Sequence, residues 1–308
     1  MRSTRMFALG AAFLALALTG AACGKSGGGG TTGGGSTGAG CNLTIGVSGN
    51  FSESKILAEM YGQALQHAGC GVKYQLDLSA RKVSDQALFS GRIDVKPEYL
   101  ASESSALDAN AKVSGDPAKN ASILKGLEAK KDVEVLNYSP AIDTNVFVVT
   151  KATASKDHLS TVSDLAPVAS KFVFGAPPDC STNKFCAIGL KNVYGIHFKE
   201  IRTTDFGGPI TVHALKAGTI QVGELFSTSV YDPDFVVLTD DKHLEASDNI
   251  VPVIRKSAAT SKVDGVLNAI SAKLTTQEML ALNKQVDIAQ QDPAAVAKSF
   301  LQQNGLLS

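Results

Sequence analysis

In DVKPEYLAS, Asp94–Ser102, an apolar-alternating run ends at Pro97 and a tyrosine follows two residues later. The run reads as the close of a short strand, Ile93–Val95, and the residues after it as a turn that carries Tyr99. Outward from this stretch, strand and helix patterns alternate. Upstream, Leu43–Val47 reads as a strand, and Ile56, Leu57, Met60, Ala64 and Leu65 recur at helical spacing until Gly69. Val72–Leu78 alternates as a strand, and Val83–Phe89 is a short helix stopped by Gly91. Downstream, Asp116-Pro117 opens a helix, and Val133–Leu136 and Val146–Val149 read as strands. A second set follows: short helix Val162–Ala166, strand Phe172–Phe174, helices Lys184–Tyr194 and Ile210–Ala217, strands Ile220–Gly223 and Phe235–Leu238. After Ile250–Ile254, three helices finish the chain: Val263–Ala272, Gln277–Gln285 with Thr275 as its cap, and Pro293–Gln302.

Alternating strands and helices predict an α/β fold with parallel sheets covered on both faces. Ligands in such folds sit beyond the carboxyl ends of strands, at topological switch points. The turns Ser48–Glu53 and Lys96–Ser102 are therefore expected ligand walls, and Tyr99 stands in one of them.

The 308 residues carry 29 basic and 29 acidic side chains. Without a leader that holds Arg2 and Arg5 the balance is 27 against 29, and no basic face for nucleic acid is expected. That leader, residues 1–22, has a positive n-region and an apolar stretch Met6–Leu18 too short to span a bilayer. Gly20-Ala21-Ala22 before Cys23 resembles a bacterial lipobox, with Gly20 where leucine is usual. Cys23 is expected to carry lipid, and residues 23–40 to form a flexible glycine-rich tether to the outer face of the cell membrane.

Four further cysteines, Cys41, Cys70, Cys180 and Cys186, suit disulfides in an exported chain. Of three possible pairings, Cys41–Cys70 and Cys180–Cys186 are favoured. The first two sit just before adjacent strands, and the last two flank a short loop. A metal or redox pair at Cys180/Cys186 is disfavoured, because the spacing is not C-x-x-C and no histidine is near. There is no G-x-S-x-G elbow and no phosphate-cradling loop before a helix. The five histidines lack metal-ligand spacing and read as surface or packing residues. No catalysis, metal or cofactor is expected.

Four segments together resemble the osmoprotectant (glycine betaine/choline/carnitine) ABC-transporter substrate-binding proteins. They are SGNFSESKILAEMYGQAL (Ser48–Leu65), SGRIDVKPEYLAS (Ser90–Ser102), SPAIDTNVFVVT (Ser139–Thr150) and SAKLTTQEMLALNKQVD (Ser271–Asp287). The resemblance implies a type II periplasmic-binding-protein fold: two α/β lobes, each a mainly parallel sheet flanked by helices, joined by two crossing strands. Residues 41–144 and 250–308 would form lobe I and 145–249 lobe II. It also implies a monomer that traps a small molecule between the lobes and delivers it to an ABC permease. The rival readings are a surface receptor without transport and a secreted hydrolase.

The family holds quaternary ammonium groups in aromatic cages, since such a cation has no N–H to donate and ring faces attract it. By resemblance, Tyr99 stands at a cage tyrosine, Ser102 at an expected hydroxyl and Asp143 at the crossing-strand aspartate. Other positions depart: Asn145 and Val212 replace tyrosines, and Asn183 replaces an arginine. Phe226 can still supply a ring. The ligand set is completed by Asn50, Phe51, Arg81, Ser227 and Thr228. Bland roles compete at several of these: helix capping for Asn50, a solvated charge for Arg81, hinge bonding for Asp143, a turn for Ser227 and Thr228. A cleft with one tyrosine and the amides Asn50, Asn145 and Asn183 is expected to suit a neutral or hydroxylated ligand better than glycine betaine.

Overall fold

The computed structural model describes residues 41–47, 51–178, 180–205 and 207–307. The leader, Cys23 and its tether, and Asn50 lie outside the described residues. In chain order the first part holds β1 (Asn42–Gly46), α1 (Ser52–His67), β2 (Gly71–Gln75), α2 (Arg81–Phe89), β3 (Val95–Tyr99), α3 (Leu100–Leu107), α4 (Pro117–Glu128) and β4 (Val133–Val135). Next come β5 (Asn145–Thr150), α5 (Lys151–Asp157), β6 (Val173–Ala176), α6 (Ala187–Tyr194), β7 (Glu200–Thr203), α7 (Pro209–Lys216), β8 (Val222–Phe226) and β9 (Phe235–Val237). The chain closes with β10 (Ile250–Arg255), α8 (Ser261–Ser271), α9 (Thr276–Asp287) and α10 (Pro293–Gln303).

These elements build two five-stranded sheets of the same layout, β2-β1-β3-β10-β4 and β7-β6-β8-β5-β9. In the first sheet β10 runs antiparallel to both neighbours, and in the second β5 does. The remaining pairs are parallel. Each antiparallel strand is the one that has just crossed from the other sheet. The two crossings lie side by side, bridged at Ile142 and Asn249. This is the two-lobed, two-crossing architecture expected from the sequence.

Both faces of each sheet are covered, as parallel sheets require. In lobe I, Ile56, Leu57, Met60 and Leu65 of α1 meet Val263 and Leu267 of α8, Met279 of α9 and Phe300 of α10. On the opposite face Leu88 of α2 packs with Leu100 of α3 and Leu124 of α4. In lobe II one face gathers Phe147, Phe174, Leu190 and Val222, and the other Val148, Leu215 and Phe235.

Helix ends follow local chemistry. Asp116 accepts from the Ala118 and Lys119 N–H groups at 2.9 and 3.2 Å, with Pro117 in the first turn. Thr275 and Glu278 form a reciprocal capping box at the start of α9. Gly69, at φ +85°, ends the α1 turn where an L-residue would be strained. Cys41 bonds Cys70, and Cys180 bonds Cys186, the two pairings favoured from the sequence.

The opening stretch is where the structure departs most from the sequence reading. The strand does not end before Pro97 but runs through it to Tyr99, and the expected turn to Ser102 is the start of α3. The Leu100 N–H donates to the Asn249 carbonyl, so Tyr99 opposite Ile250 is a non-hydrogen-bonded pair. Pro97 opposite Pro252, two residues along each strand, is another, so neither missing N–H is needed between β3 and β10. The strand expected over Val72–Leu78 stops at Gln75. Strand β7 and helix α5, both polar and short, carry too little periodicity to be read from sequence.

Candidate functional site

A cleft of about 1400 Å³ opens between the lobes, at the carboxyl ends of β3 and β8 and along the crossings. It is wider than the roughly 300–1,000 Å³ of a pocket that already wraps its ligand. Its floor is a hydrogen-bonded chain that ties the lobes together. Tyr99, at the end of β3 and only 7% exposed, donates its hydroxyl to Glu53 Oε1 at 2.7 Å. Glu53, in the first turn of α1, accepts at Oε2 from Asn283 Nδ2 of α9, also at 2.7 Å. The same Asn283 amide reaches the Thr228 carbonyl at 3.2 Å. The Thr228 hydroxyl donates to Asp143 Oδ1 at 2.8 Å, and the Asp143 N–H donates to the Asp248 carbonyl at 3.1 Å.

Asp248 gathers the start of α3. It accepts from the Ala101 and Ser102 N–H groups at 2.7 and 3.0 Å and from the Ser102 hydroxyl. This holds Ser102 at the cleft wall through a crossing segment rather than through a turn. Near the rim the Tyr231 hydroxyl donates to Asp287 Oδ2 at 2.6 Å, and Ser52 reaches the same carboxylate.

The floor is acidic. Glu53, Asp143, Glu245 and Asp248 all line it, and none of them is within ion-pair reach of a lysine or arginine among the described residues. Burial pushes the carboxyls of Glu53 and Asp143 up, and their mutual repulsion raises Asp143 further. Burial also raises Glu245, beside Glu224, and one oxygen of Glu245 has no hydrogen-bond partner among the described residues. Asp248 is raised by burial as well, against the opposing pull of its Ser102 bonds and of Arg81.

Arg81, the first residue of α2, lines the cleft but is not a solvated charge. Its Nε lies 3.1 Å from Glu98 Oε2 and 3.2 Å from Glu103 Oε2. The other oxygens of these carboxylates face the buried Lys96 ammonium, at 2.8 and 3.5 Å, and Lys96 also pairs with Asp85.

Of the residues singled out in the sequence, Phe51, Arg81, Tyr99, Ser102, Asp143, Asn145, Phe226 and Thr228 come together on the cleft wall. Phe51 stands at the mouth, 44% exposed. Asn145 lies opposite Phe226 across β5 and β8, and its amide reaches Glu245 at 3.4 Å. Val212 lines the cleft where the resemblance leads one to look for a tyrosine. Ser227 and Asn183 are not among the lining residues. Ser227 instead ties the crossing, accepting from the Thr144 N–H at 3.1 Å and donating to the Ile142 carbonyl at 2.9 Å. Asn183 accepts from the Phe185 N–H at 2.9 Å, and it is Phe185, inside the Cys180–Cys186 loop, that reaches the cleft. His213, read as surface or packing, lines the wall.

Glu53, Asn283, Asp248, Glu245 and Tyr231 were not foreseen. Glu53 and Asn283 sit inside quoted family segments, N-F-S-E and L-N, so a signal existed for both. Asp248 and Glu245 lie in a crossing without a motif. Only the fold brings them to the floor.

Two α/β lobes, two adjacent crossings and a cleft floored by the crossings define a solute-binding protein of the periplasmic type. The chain matches the family "substrate binding domain of ABC-type glycine betaine transport system" over residues 42–303, and it belongs to that family. It is therefore the extracytoplasmic solute-binding component of an ABC importer of the osmoprotectant, quaternary-amine type, and not an enzyme. It is 28% identical to the carnitine transport binding protein OpuCC of Listeria monocytogenes over 264 residues, 82% of this chain and 84% of that protein. It is 29% identical to a glycine-betaine-binding protein of Pseudomonas aeruginosa over 282 residues, 86% of this chain and 89% of that one. A crystal structure of a glycine betaine/carnitine/choline ABC transporter superposes with a TM-score of 0.77 at 25% identity, over 86% of this chain and 100% of the other.

Proposed function

We propose that this protein captures a small amine of net positive charge, of the choline type, rather than a zwitterion such as glycine betaine. The acidic floor carries the reading. Glu53, Asp143, Glu245 and Asp248 face the cleft, and the one arginine of the lining is already held by two carboxylates. A quaternary ammonium entering between Tyr99, Phe226 and Tyr231 meets ring faces and buried carboxyl groups whose ionised form its charge favours. A ligand carboxylate is disfavoured beside the same acidic groups and finds the charge of Arg81 already offset by Glu98 and Glu103. This revises the expectation of an amide-lined cleft for a neutral ligand: Asn183 is off the lining, and carboxylates take the floor.

Because the cleft is wider than a small ligand requires, capture needs a hinge closure about the crossings at Ile142–Asn145 and Glu245–Asn249. The ligand-contacting set we assign is Phe51, Tyr99, Ser102, Asp143, Asn145, Phe226 and Thr228, joined by Glu53 and Tyr231. The lobes divide as 41–144 with 250–308 and 145–249. The protein acts as a monomer, tethered by lipid on Cys23 to the outer face of the membrane.

Calorimetry with choline, glycine betaine and a neutral polyol tests the ligand class. Choline is expected to bind at least about 10-fold more tightly than glycine betaine, a difference of roughly 1.4 kcal/mol. Tighter binding of glycine betaine, or of the polyol, refutes the reading.

A further inference from the structure

The loop between β6 and α6 brings a ring to the cleft. β6 runs parallel to β8, with Phe174 opposite Val222, so both strands point their carboxyl ends at the cleft. Phe226 stands at the end of β8, and the loop that leaves β6 carries Phe185 to the same lining. The loop is pinned from behind. Cys180 and Cys186, both buried, close it with a disulfide. Inside it the Asn183 N–H donates to the Cys180 carbonyl and the Cys186 N–H to the Asn183 carbonyl, each at 3.2 Å. The Phe185 N–H donates to Asn183 Oδ1 at 2.9 Å. The backbone at Phe185 is therefore held on both sides, and its half-buried side chain reaches the cleft from a fixed base.

One side of this ring already carries a cation. Lys184 Nζ lies 4.9 Å from the Phe185 centroid, yet Lys184 is exposed and is not among the lining residues. The side of the ring turned to the cleft is therefore not the one that Lys184 covers. Where the resemblance leads one to look for an arginine, at Asn183, this loop brings no cation to the lining and presents a ring instead. A ring face attracts a quaternary ammonium, whereas an arginine at the same place would repel it.

We propose that Phe185 is a ligand-contacting ring of lobe II, held toward the cleft by the Cys180–Cys186 disulfide, and that hinge closure brings it onto the ammonium head of the ligand while Tyr99 approaches from lobe I. The inference rests on the quaternary-ammonium reading above and adds a residue and a positioning bond to it. It does not depend on the choice between choline and glycine betaine, because both carry the same trimethylammonium head. The disulfide does not touch ligand. It acts through Phe185, so its effect on affinity requires the ring to be present.

The test measures dissociation constants for choline and glycine betaine with wild type, Phe185→Ala, Phe185→Tyr, the pair Cys180→Ser/Cys186→Ser, and that pair combined with Phe185→Ala. Thermal melts establish that each variant is folded at the titration temperature. Phe185→Ala is expected to weaken both ligands by a similar factor, about 2- to 30-fold, the range of one ring face over a cation. Phe185→Tyr keeps the ring and should stay within about 2-fold of wild type. The serine pair should weaken both ligands, and it should add nothing further once Phe185 is alanine. Where the serine pair does not fold, Asn183→Ala, which removes the side-chain acceptor of the Phe185 N–H, takes its place in the same cycle. Full affinity in Phe185→Ala overturns the inference, as does equal weakness in Phe185→Ala and Phe185→Tyr. A loss from the serine pair that persists in full without the ring overturns the positioning role of the disulfide. A wild type that prefers glycine betaine, with both ligands weakened in Phe185→Ala, overturns the choline reading and leaves this one standing. A wild type that binds neither ligand overturns both.

Discussion

Replacing Tyr99 in two ways separates its place in the fold from its place in the site. Tyr99→Phe removes only the hydroxyl that reaches Glu53 at 2.7 Å, and the ring keeps its position at the end of β3. Glu53 is buried and retains Asn283 as a donor, so the loss is one hydrogen bond to an acidic group, about 1–3 kcal/mol of stability. The face offered to a cation is almost unchanged, and affinity for choline should hold within about 2-fold. Tyr99→Ala removes the ring as well. A ring face over a cation contributes about 0.5–2 kcal/mol, so choline affinity should fall by about 2- to 30-fold. Thermal melts read the first effect and calorimetry the second. Two results would refute the reasoning: affinity as weak in Tyr99→Phe as in Tyr99→Ala, which assigns the ligand to the hydroxyl, or full affinity in Tyr99→Ala, which returns the residue to the core.

Two further outcomes are expected. Glu128 is fully buried, and burial pushes its carboxyl up to about 7, while Glu53 and Asp143 are raised by burial too. At these three groups the folded state therefore holds more protons than the unfolded chain. The stability these groups contribute is full below their ordinary values, 4.5 for the two glutamates and 3.8 for Asp143, and is lost as pH rises toward 7 and beyond. Urea melts of the ligand-free protein should show falling stability across that interval, and a rise would contradict the burial argument. Because a bound cation favours the ionised carboxylates, choline affinity should climb over the same range. Replacing Cys41 and Cys70 with serine opens a loop of 29 residues and should cost about 3–4 kcal/mol, whereas opening the 6-residue Cys180–Cys186 loop should cost about 2. Equal melting temperatures for the two variants would show that chain entropy does not govern these bonds.

Local signals carried the elements well where they were strong. The apolar spacing of α1, the Asp116-Pro117 start of α4 and the Thr275–Glu278 box of α9 all depend on residues within one or two turns of each other. Pro97 misled, because a proline inside a strand is tolerable only when its partner strand asks for no N–H there. That partner is Pro252, 155 residues away. The short polar elements β7 and α5 were missed because nothing in their own sequence distinguishes them from loop.

By itself the sequence determined what short-range chemistry can specify: the α/β alternation, the two crossings, the disulfide partners, the family, and Tyr99 just past a strand on the wall of the cleft. Only the tertiary structure decided the character of the cleft. Glu53, Asp143, Glu245 and Asp248 come from the first helix and the two crossings, three stretches far apart in the chain, and no window of sequence shows them sharing one floor. Arg81 reads in sequence as a free positive charge near the site. Folding sets Glu98 and Glu103 behind it, and the electrostatic character of a cleft depends on which charges are left unpaired once the chain has closed around them.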